Sequence, residues 1–175
     1  MHSEPFDARS QGASLTRLVL LPGMDGSGFF FRDFIAALRP AVEPTVMRYP
    51  VDRGLGYLEL EALVRDALPC DEPFVLVGES FSGPIAIALA SSYPPGLIAV
   101  VLVCTFARSP ARVIRTFRHC SGDRVIPASA SVFITQCLPS VRIVEIDGPH
   151  FLLQAKPAES AHAVRAFARE AGAVL

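Results

Sequence analysis

The chain has 175 residues, of which 51% are hydrophobic and 19% are charged, and its formal net charge is −1. This length allows one domain with a proper core, and the composition excludes a disordered chain. The nearly neutral charge, without a long basic run, argues against nucleic acid or an anionic membrane surface as a partner, and no apolar stretch approaches the roughly 20 residues of a membrane span.

The chain carries no feature that points to export. Its first residues, MHSEPFD, lack a basic segment followed by an apolar one, so no secretory signal is expected. The four cysteines are scattered, with no CxxC pair and no histidine at metal spacing, which favours reduced thiols in a cytoplasmic protein. They are Cys70, Cys104, Cys120 and Cys137. Residues 1–14 are polar and are predicted to form a loose tail before a single domain over residues 15–175.

The first part of the chain alternates between strand and helix patterns. Leu18–Leu21 is a short apolar strand closed by Pro-Gly, and Thr45–Tyr49 also has the composition of a strand. Apolar residues recur at i, i+3, i+4 and i+7 between Phe31 and Leu38, and again at helical spacing between Leu60 and Ala67. Two amphipathic helices are therefore predicted, one after each strand.

The same alternation continues to the end of the chain. Strands are predicted at Phe74–Val77, Leu97–Phe106 and Val141–Ile146, and helices at Phe81–Ser92 and Val164–Ala171. Leu97–Phe106 is continuously apolar, as expected for a strand covered on both faces. Alternating buried strands and helices predict an α/β fold with a doubly wound, mostly parallel sheet.

The segment FVLVGESFSGPIAIALASSYP, from Phe74 to Pro94, places a serine at a sharp turn between a strand and a helix. Such a turn forces Ser80 into a strained backbone conformation, so the residues two positions away must be small. They are Gly78 and Ser82, with Gly83 following, whereas the usual pattern has Gly at the position of Ser82. A purely structural Gly/Ser-rich turn is the alternative interpretation.

Further polar signals follow other predicted strands, where the chemistry of a parallel sheet is expected. The first strand ends in PGMDGSG, and SGDRVIP and DGPHFL stand nearer the C-terminus. A serine nucleophile needs a base within hydrogen-bond reach and a carboxylate to orient that base. Ser80, Asp123 and His150 occur in the order that a strand–turn–helix nucleophile of this kind uses.

The motifs LVLLPGMDGSG, GESFSG, SGDRVIP and DGPHFLLQ, in this order, resemble those of the α/β-hydrolase superfamily, specifically its small carboxylesterase-like members. The resemblance extends from Leu18 to the C-terminus. It implies that Ser80 is the nucleophile, His150 the general base and Asp123 the acid that holds the His tautomer. It also implies that the backbone N–H groups of Phe81 and Met24 form the oxyanion hole.

Some of these assignments have rivals. Asp147 is another acid close to His150, but it lies only three residues upstream in the same turn. Asp25 is an alternative to Met24 as the oxyanion donor, and it or Ser27 could instead cap the following helix. The other histidines do not close a strand near the C-terminus; they are His2, His119 and His162.

One element of the superfamily pattern is missing. Its members generally carry a cap or lid, and a helix, between the strand ending near Phe106 and the strand before the catalytic acid. Here only about eight residues, Phe106 to Val113, separate the two, although a parallel crossover normally needs a dozen or more. We expect a strand from Val113 to Phe117, although Ser109-Pro110 could equally open a helix. The chain therefore resembles a minimal hydrolase core without a lid, or a deleted version of a larger hydrolase.

The function expected from this resemblance is that of a serine hydrolase. It would cleave carboxylic esters, with a preference for short acyl groups, through an acyl-enzyme, without a metal or an organic cofactor. A thioesterase or amidase would use the same three side chains, and a non-catalytic partner-binding module is the alternative from another class. The partner expected is a small-molecule ester, with no nucleic acid and no membrane. A sheet face left uncovered by the missing helix also predicts a homodimer.

Overall fold

The computed structural model describes residues 15–107, 123, 125–126, 128–137 and 141–175. The strands in this part of the chain are β1 (Arg17–Leu21), β2 (Thr45–Val46), β3 (Phe74–Glu79) and β4 (Leu97–Val103). The helices are α1 (Arg32–Leu38), α2 (Tyr57–Ala67), α3 (Gly83–Ser91), α4 (Ala128–Cys137), α5 (Leu152–Ala155) and α6 (Pro157–Glu170). Two 3₁₀ turns, Phe29–Phe31 and Ser80–Ser82, lead into α1 and α3.

The four strands form one parallel sheet in the order β2-β1-β3-β4. Arg17 pairs with Phe74 and Leu21 with Gly78, so β1 and β3 run side by side and end at the same edge. All six residues of β3 are buried, as expected for a central strand of a parallel sheet covered on both faces. The α/β class and the mostly parallel sheet predicted from the sequence are confirmed.

Alternate residues of β1 and β3 supply the two sides of the core, because side chains of a strand point to opposite faces. On one face Leu18 and Leu20 pack with Phe34 and Leu38 of α1 and with Val164 of α6. The opposite face is built from residues of β1 and β3 together with α2 and α3. That second cluster includes Val19, Leu21, Phe74, Leu76, Leu60, Val64, Ile85 and Leu89. The sheet is therefore covered by helices on both faces, which confirms the doubly wound arrangement.

The helices expected from apolar spacing are found close to their predicted positions. Glu59 stabilises the start of α2, where its side chain accepts a hydrogen bond of 2.7 Å from the N–H of Gly56. Both α3 and α6 have proline in the first turn, the position where a missing N–H is tolerated. The helices α4 and α5 were not predicted from the sequence, and α6 begins at Pro157, before the predicted start at Val164.

Three strand predictions differ from the structure. The strand predicted at Thr45–Tyr49 covers only Thr45–Val46, and the one predicted at Leu97–Phe106 ends at Val103. Val141–Ile146 is not a strand: among the described residues no strand pairs with it, and its residues 142–145 are exposed. Strand propensity alone does not make a strand, because the backbone needs a hydrogen-bonded neighbour. Leu97–Val103 is a strand, but only Val103 is buried. It is partly exposed because β4 is the outermost strand of the described sheet.

Several expectations concern residues outside the described part of the chain. They are the N-terminal tail (residues 1–14), the region 108–122 that contains most of the short link and the predicted strand from Val113 to Phe117, and Cys120. Within the described residues Cys70, Cys104 and Cys137 are free thiols. None of the helices in that part of the chain combines the length and apolar character needed to cross a membrane.

Phe34 provides a test of the core assignment. Its ring is fully buried between α1 and the sheet, so Phe34→Ala should lower the free energy of unfolding by about 3–5 kcal/mol through lost burial and a residual cavity. Leu58→Ala on the exposed face of α2 is the control and should change it by less than about 0.5 kcal/mol. Urea unfolding of both variants gives the comparison, and equal effects would contradict the packing described here.

Candidate active site

Ser80 lies where β3 ends and the turn into α3 begins, with φ of 48°, in the left-handed region that non-glycine residues rarely adopt. The turn is possible only because the residues close to Ser80 are small. A Cβ on Gly78 would lie 2.9 Å from the Cβ of Ala86 and 3.1 Å from the carbonyl oxygen of Ser82. Packing on both sides therefore holds Ser80 in its strained conformation, which is how such strain persists in folded proteins.

Thr105, two residues beyond β4, also holds this turn. Its buried hydroxyl donates a hydrogen bond to the carbonyl oxygen of Ser80. The same side chain fills the space beside Gly83, where any Cβ would run into it. The end of β4 and the turn after β3 are thus packed directly against each other.

The structure brings together the three side chains that the sequence singled out. The Ser80 Oγ lies 2.8 Å from the Nε2 of His150, and the His150 Nδ1 lies 3.0 Å from the Oδ2 of Asp123. The His150 and Asp123 side chains are largely shielded, with exposures of 10% and 18%. The rival acid Asp147 is exposed, and Asp123 is the carboxylate at the ring nitrogen remote from Ser80.

The second carboxylate oxygen of Asp123 also accepts hydrogen bonds. Its Oδ1 accepts hydrogen bonds from the backbone N–H groups of Val125, at 2.8 Å, and Ile126, at 2.9 Å. These two bonds fix the carboxylate in its turn and leave the other oxygen directed at His150. Asp123 therefore does two things: its Oδ1 stabilises the turn of SGDRVIP, and its Oδ2 contacts His150.

Ser82, where the superfamily pattern has glycine, is completely buried and makes two hydrogen bonds. Its Oγ donates to the carbonyl oxygen of Pro22 and lies 2.6 Å from the hydroxyl of Tyr49. Burial raises the pKa of Tyr49 to about 12, although the hydrogen bond with Ser82 acts in the opposite direction. Because the Ser82 hydroxyl donates its proton to Pro22, the Tyr49 hydroxyl donates to Ser82. Ser82 thus ties the turn after β3 to the turn after β1.

The turn after β1 passes beside Ser80. A Cβ on Gly23 would lie 3.9 Å from the Ser80 Cβ, so this backbone comes close to the nucleophile position. Met24 follows in the turn with an exposed side chain. The Oδ2 of Asp25 accepts a hydrogen bond of 3.1 Å from the Ser27 N–H, and the Ser27 hydroxyl accepts one of 3.1 Å from the Phe29 N–H. Asp25 and Ser27 therefore order this turn and the start of the 3₁₀ helix.

Glu79, next to Ser80, is a buried carboxyl group connected to α5, the short helix that follows His150. The Nε2 of Gln154 donates to the Glu79 Oε1, at 3.2 Å, and to the carbonyl oxygen of Phe30, at 3.0 Å. Burial raises the pKa of Glu79, while the Gln154 bond and the charge of His150 oppose that rise. Within the described residues, the buried Oε1 of Gln154 has no partner. One side chain thus links three segments around Ser80.

Sequence reasoning missed the contributions of Tyr49, Thr105 and Gln154. The serine at position 82, which departs from the usual glycine, was a signal for Tyr49 alone, because Thr105 bonds to Ser80 and Gln154 bonds to Glu79 and Phe30. All these partners come from distant parts of the chain, so no local pattern shows them. In the part of the chain that the structure describes, no group of three or more His, Cys, Asp or Glu side chains could hold a metal ion.

Comparison with known proteins identifies the fold. No family model matches the chain. A predicted CIB-like hydrolase of Thermoplasma acidophilum superimposes with a TM-score of 0.69 over 95% of this chain and 89% of that chain, at 18% identity. An extracellular α/β-hydrolase from a Paenibacillus species covers 58% of this chain and 49% of that chain, with a TM-score of 0.47 and 20% identity. The superposition on the Thermoplasma acidophilum hydrolase shows that the chain has the α/β-hydrolase fold.

A curated relative adds sequence similarity. Phytyl ester synthase 1, a chloroplastic protein of Arabidopsis thaliana, is 32% identical over an alignment of 115 residues, and the match covers 61% of this chain. The match spans only 16% of the length of that protein. The similarity accordingly concerns one part of a much longer relative.

The buried carboxyl of Glu79 predicts a pH effect on stability. Because its pKa is raised in the folded protein, folding favours the protonated form, and stability should fall as the pH rises from the ordinary Glu value through the raised one. Glu79→Gln keeps an acceptor for Gln154 but removes this titration. The difference in unfolding free energy, wild type minus variant, should therefore decrease with pH across that window.

The measurement is denaturant unfolding of both proteins at a series of pH values. Glu145→Gln, at an exposed position, is the matched control for general charge effects. A difference between wild type and Glu79→Gln that stays constant with pH would show that the Glu79 carboxyl does not have the raised pKa.

Proposed function

We propose that this chain is a serine hydrolase that cleaves carboxylic esters through an acyl-enzyme on Ser80. The observation that carries the proposal is the pair of hydrogen bonds from Ser80 to His150 and from His150 to Asp123. A hydroxyl, an imidazole and a carboxylate in this order are the arrangement that activates a serine nucleophile. The left-handed turn that presents Ser80 and the α/β-hydrolase fold support the same conclusion.

In the acylation step the Ser80 Oγ attacks the ester carbonyl carbon while its proton passes to the Nε2 of His150. The negative charge that develops on the carbonyl oxygen is stabilised by the backbone N–H groups of Phe81 and Met24. The tetrahedral intermediate then expels the alcohol, whose oxygen receives the proton from His150. Ser80 is left as an ester of the acyl group, and the alcohol leaves the site.

Water completes the cycle by the same route. His150 removes a proton from the water molecule, the hydroxyl attacks the acyl carbon, and the Ser80 oxygen leaves with that proton. Asp123 accepts the hydrogen bond from the Nδ1–H of His150 throughout, which keeps the lone pair of Nε2 directed at Ser80 and stabilises the imidazolium. Every proton in this cycle moves between His150, Ser80, the alcohol and water.

The acyl group that we propose is short. Met24 is 85% exposed in the turn beside Ser80, so this side of the site opens to solvent. An open site offers few contacts to the remote end of a long acyl chain, and such contacts supply the binding energy used at the reacting carbonyl. The name of the Arabidopsis relative concerns esters, which agrees with an ester as the substrate class. Thioesters and amides would react by the same steps.

Replacement of the nucleophile gives the most direct test. Ser80→Ala should reduce turnover of p-nitrophenyl acetate by a factor on the order of 10⁶ and abolish labelling by a fluorophosphonate probe. Ser91→Ala, at the exposed end of α3, is the control and should keep both activities. A wild-type protein that is folded but neither labelled nor active would favour a non-catalytic binding module instead.

The two candidate acids give a second test. Asp123→Asn preserves shape but presents an amide to His150 and favours the wrong tautomer, so kcat should fall by roughly 10⁴. Asp147→Asn should leave kcat unchanged, since this carboxylate is exposed and is not the partner of the His150 Nδ1. Steady-state kinetics of the two variants decide the assignment, and the opposite pattern would transfer the role to Asp147.

A further inference from the structure

Three phenylalanine rings form a row on the surface next to His150. We call Phe29, Phe30 and Phe151 the aromatic platform; their exposed fractions are 64%, 44% and 57%. The ring centroids of Phe29 and Phe30 lie 6.0 Å apart, and those of Phe30 and Phe151 lie 5.9 Å apart. Three contiguous large apolar side chains left this open to water indicate a surface that binds something apolar.

The platform is held in place by the same contacts that order the site. The carbonyl oxygen of Phe30 accepts the hydrogen bond of Gln154, and the N–H of Phe29 donates to the Ser27 hydroxyl. Phe31, the third residue of the 3₁₀ turn, is buried in the core and anchors the turn from below. The backbone that carries the rings is therefore already ordered. This favours binding, because little conformational entropy is lost when a ligand contacts the rings.

The platform lies next to His150, the residue that protonates the leaving alcohol in the proposed reaction. The ring centroids of His150 and Phe151 lie 5.5 Å apart, at an angle of 65°. In the proposed reaction His150 returns its proton to the alcohol oxygen, so that oxygen must come within hydrogen-bond reach of Nε2. A substituent on that oxygen then lies beside the Phe151 ring, whereas the acyl group is attached to the carbon that Ser80 attacks.

We propose that the aromatic platform binds the alcohol portion of the ester and selects alcohols with an extended apolar chain. This inference rests on the proposed serine hydrolase function. The three rings offer apolar contact from His150 outward, and the guanidinium of Arg32, 5.5 Å from the Phe29 ring centroid, marks the far end. The substrates are thus esters in which a short acyl group is joined to a longer apolar alcohol.

A series of acetate esters isolates this effect. Ethyl to decyl acetate all form the same acetyl-enzyme on Ser80, so deacylation is identical and kcat/KM reports binding and acylation alone. Primary alcohols in this range also have nearly equal leaving ability. We expect kcat/KM to rise by up to about fourfold per added CH₂, which corresponds to about 0.8 kcal/mol, and to level off once the chain passes Phe29.

Variants assign the rise to the platform. Phe151→Ala and the double variant F29A/F30A should each flatten the dependence on alcohol length, whereas Phe151→Leu should retain part of it. Tyr93→Ala removes an aromatic side chain that is more exposed than the platform rings and lies in the turn after α3, and its dependence should match that of the wild type. Thermal unfolding and fluorophosphonate labelling of each variant establish that its site is intact.

A measurement on the unmodified protein does not depend on how the variants fold. Added 1-octanol should inhibit hydrolysis of p-nitrophenyl acetate competitively and much more strongly than ethanol does. Hydrolysis that is independent of alcohol length, or a length dependence that survives in folded platform variants, would overturn the inference while leaving the hydrolase function intact. Absence of both hydrolysis and probe labelling in the wild type would instead refute the proposed function.

Discussion

The left-handed turn at Ser80 is the constraint on which the rest of the site depends. A serine with φ of 48° is stable only where small residues surround it, and Gly78 and Gly83 meet this need against Ala86 and Thr105. The turn directs the Ser80 side chain away from the core, and in the structure it lies 2.8 Å from His150. The local geometry thus requires both a buried β3 and a closely packed α3.

Parallel strand order explains how distant segments meet at this turn. Because β1, β3 and β4 run in the same direction, the segments that follow them emerge at one edge of the sheet. The turn after β1 reaches Ser80 at Gly23, and Thr105 reaches it from beyond β4. His150 arrives from 70 residues further along the chain. The site is therefore a consequence of the topology as much as of any single motif.

Buried polar groups connect these segments. Ser82 joins the Ser80 turn to Pro22 and Tyr49, and Gln154 joins Glu79 to Phe30. Such hydrogen bonds add little net stability each, but leaving one partner unsatisfied in the interior costs about 1–3 kcal/mol. The hydrogen bonds of Ser82 and Gln154 therefore favour one arrangement of the turns around Ser80 over others. The Gln154 contact also holds the backbone of Phe30 in the aromatic platform, so the position of the platform is tied to the geometry around Ser80.

The sequence by itself determined the alternation of strands and helices and the sharp turn at Ser80, because these depend on periodicity and small residues. The grouping of Ser80, Asp123 and His150 was predicted from chain order together with the resemblance to α/β-hydrolase motifs. Tertiary structure decided the rest. Val141–Ile146 has the composition of a strand but pairs with no described strand, and six of the seven residues of β4 are only partly buried because β4 is the outermost strand of the described sheet. The partners of Ser82 and Gln154 lie up to 124 residues away. No local pattern encodes such contacts, since a hydrogen bond between distant segments exists only after the chain has packed.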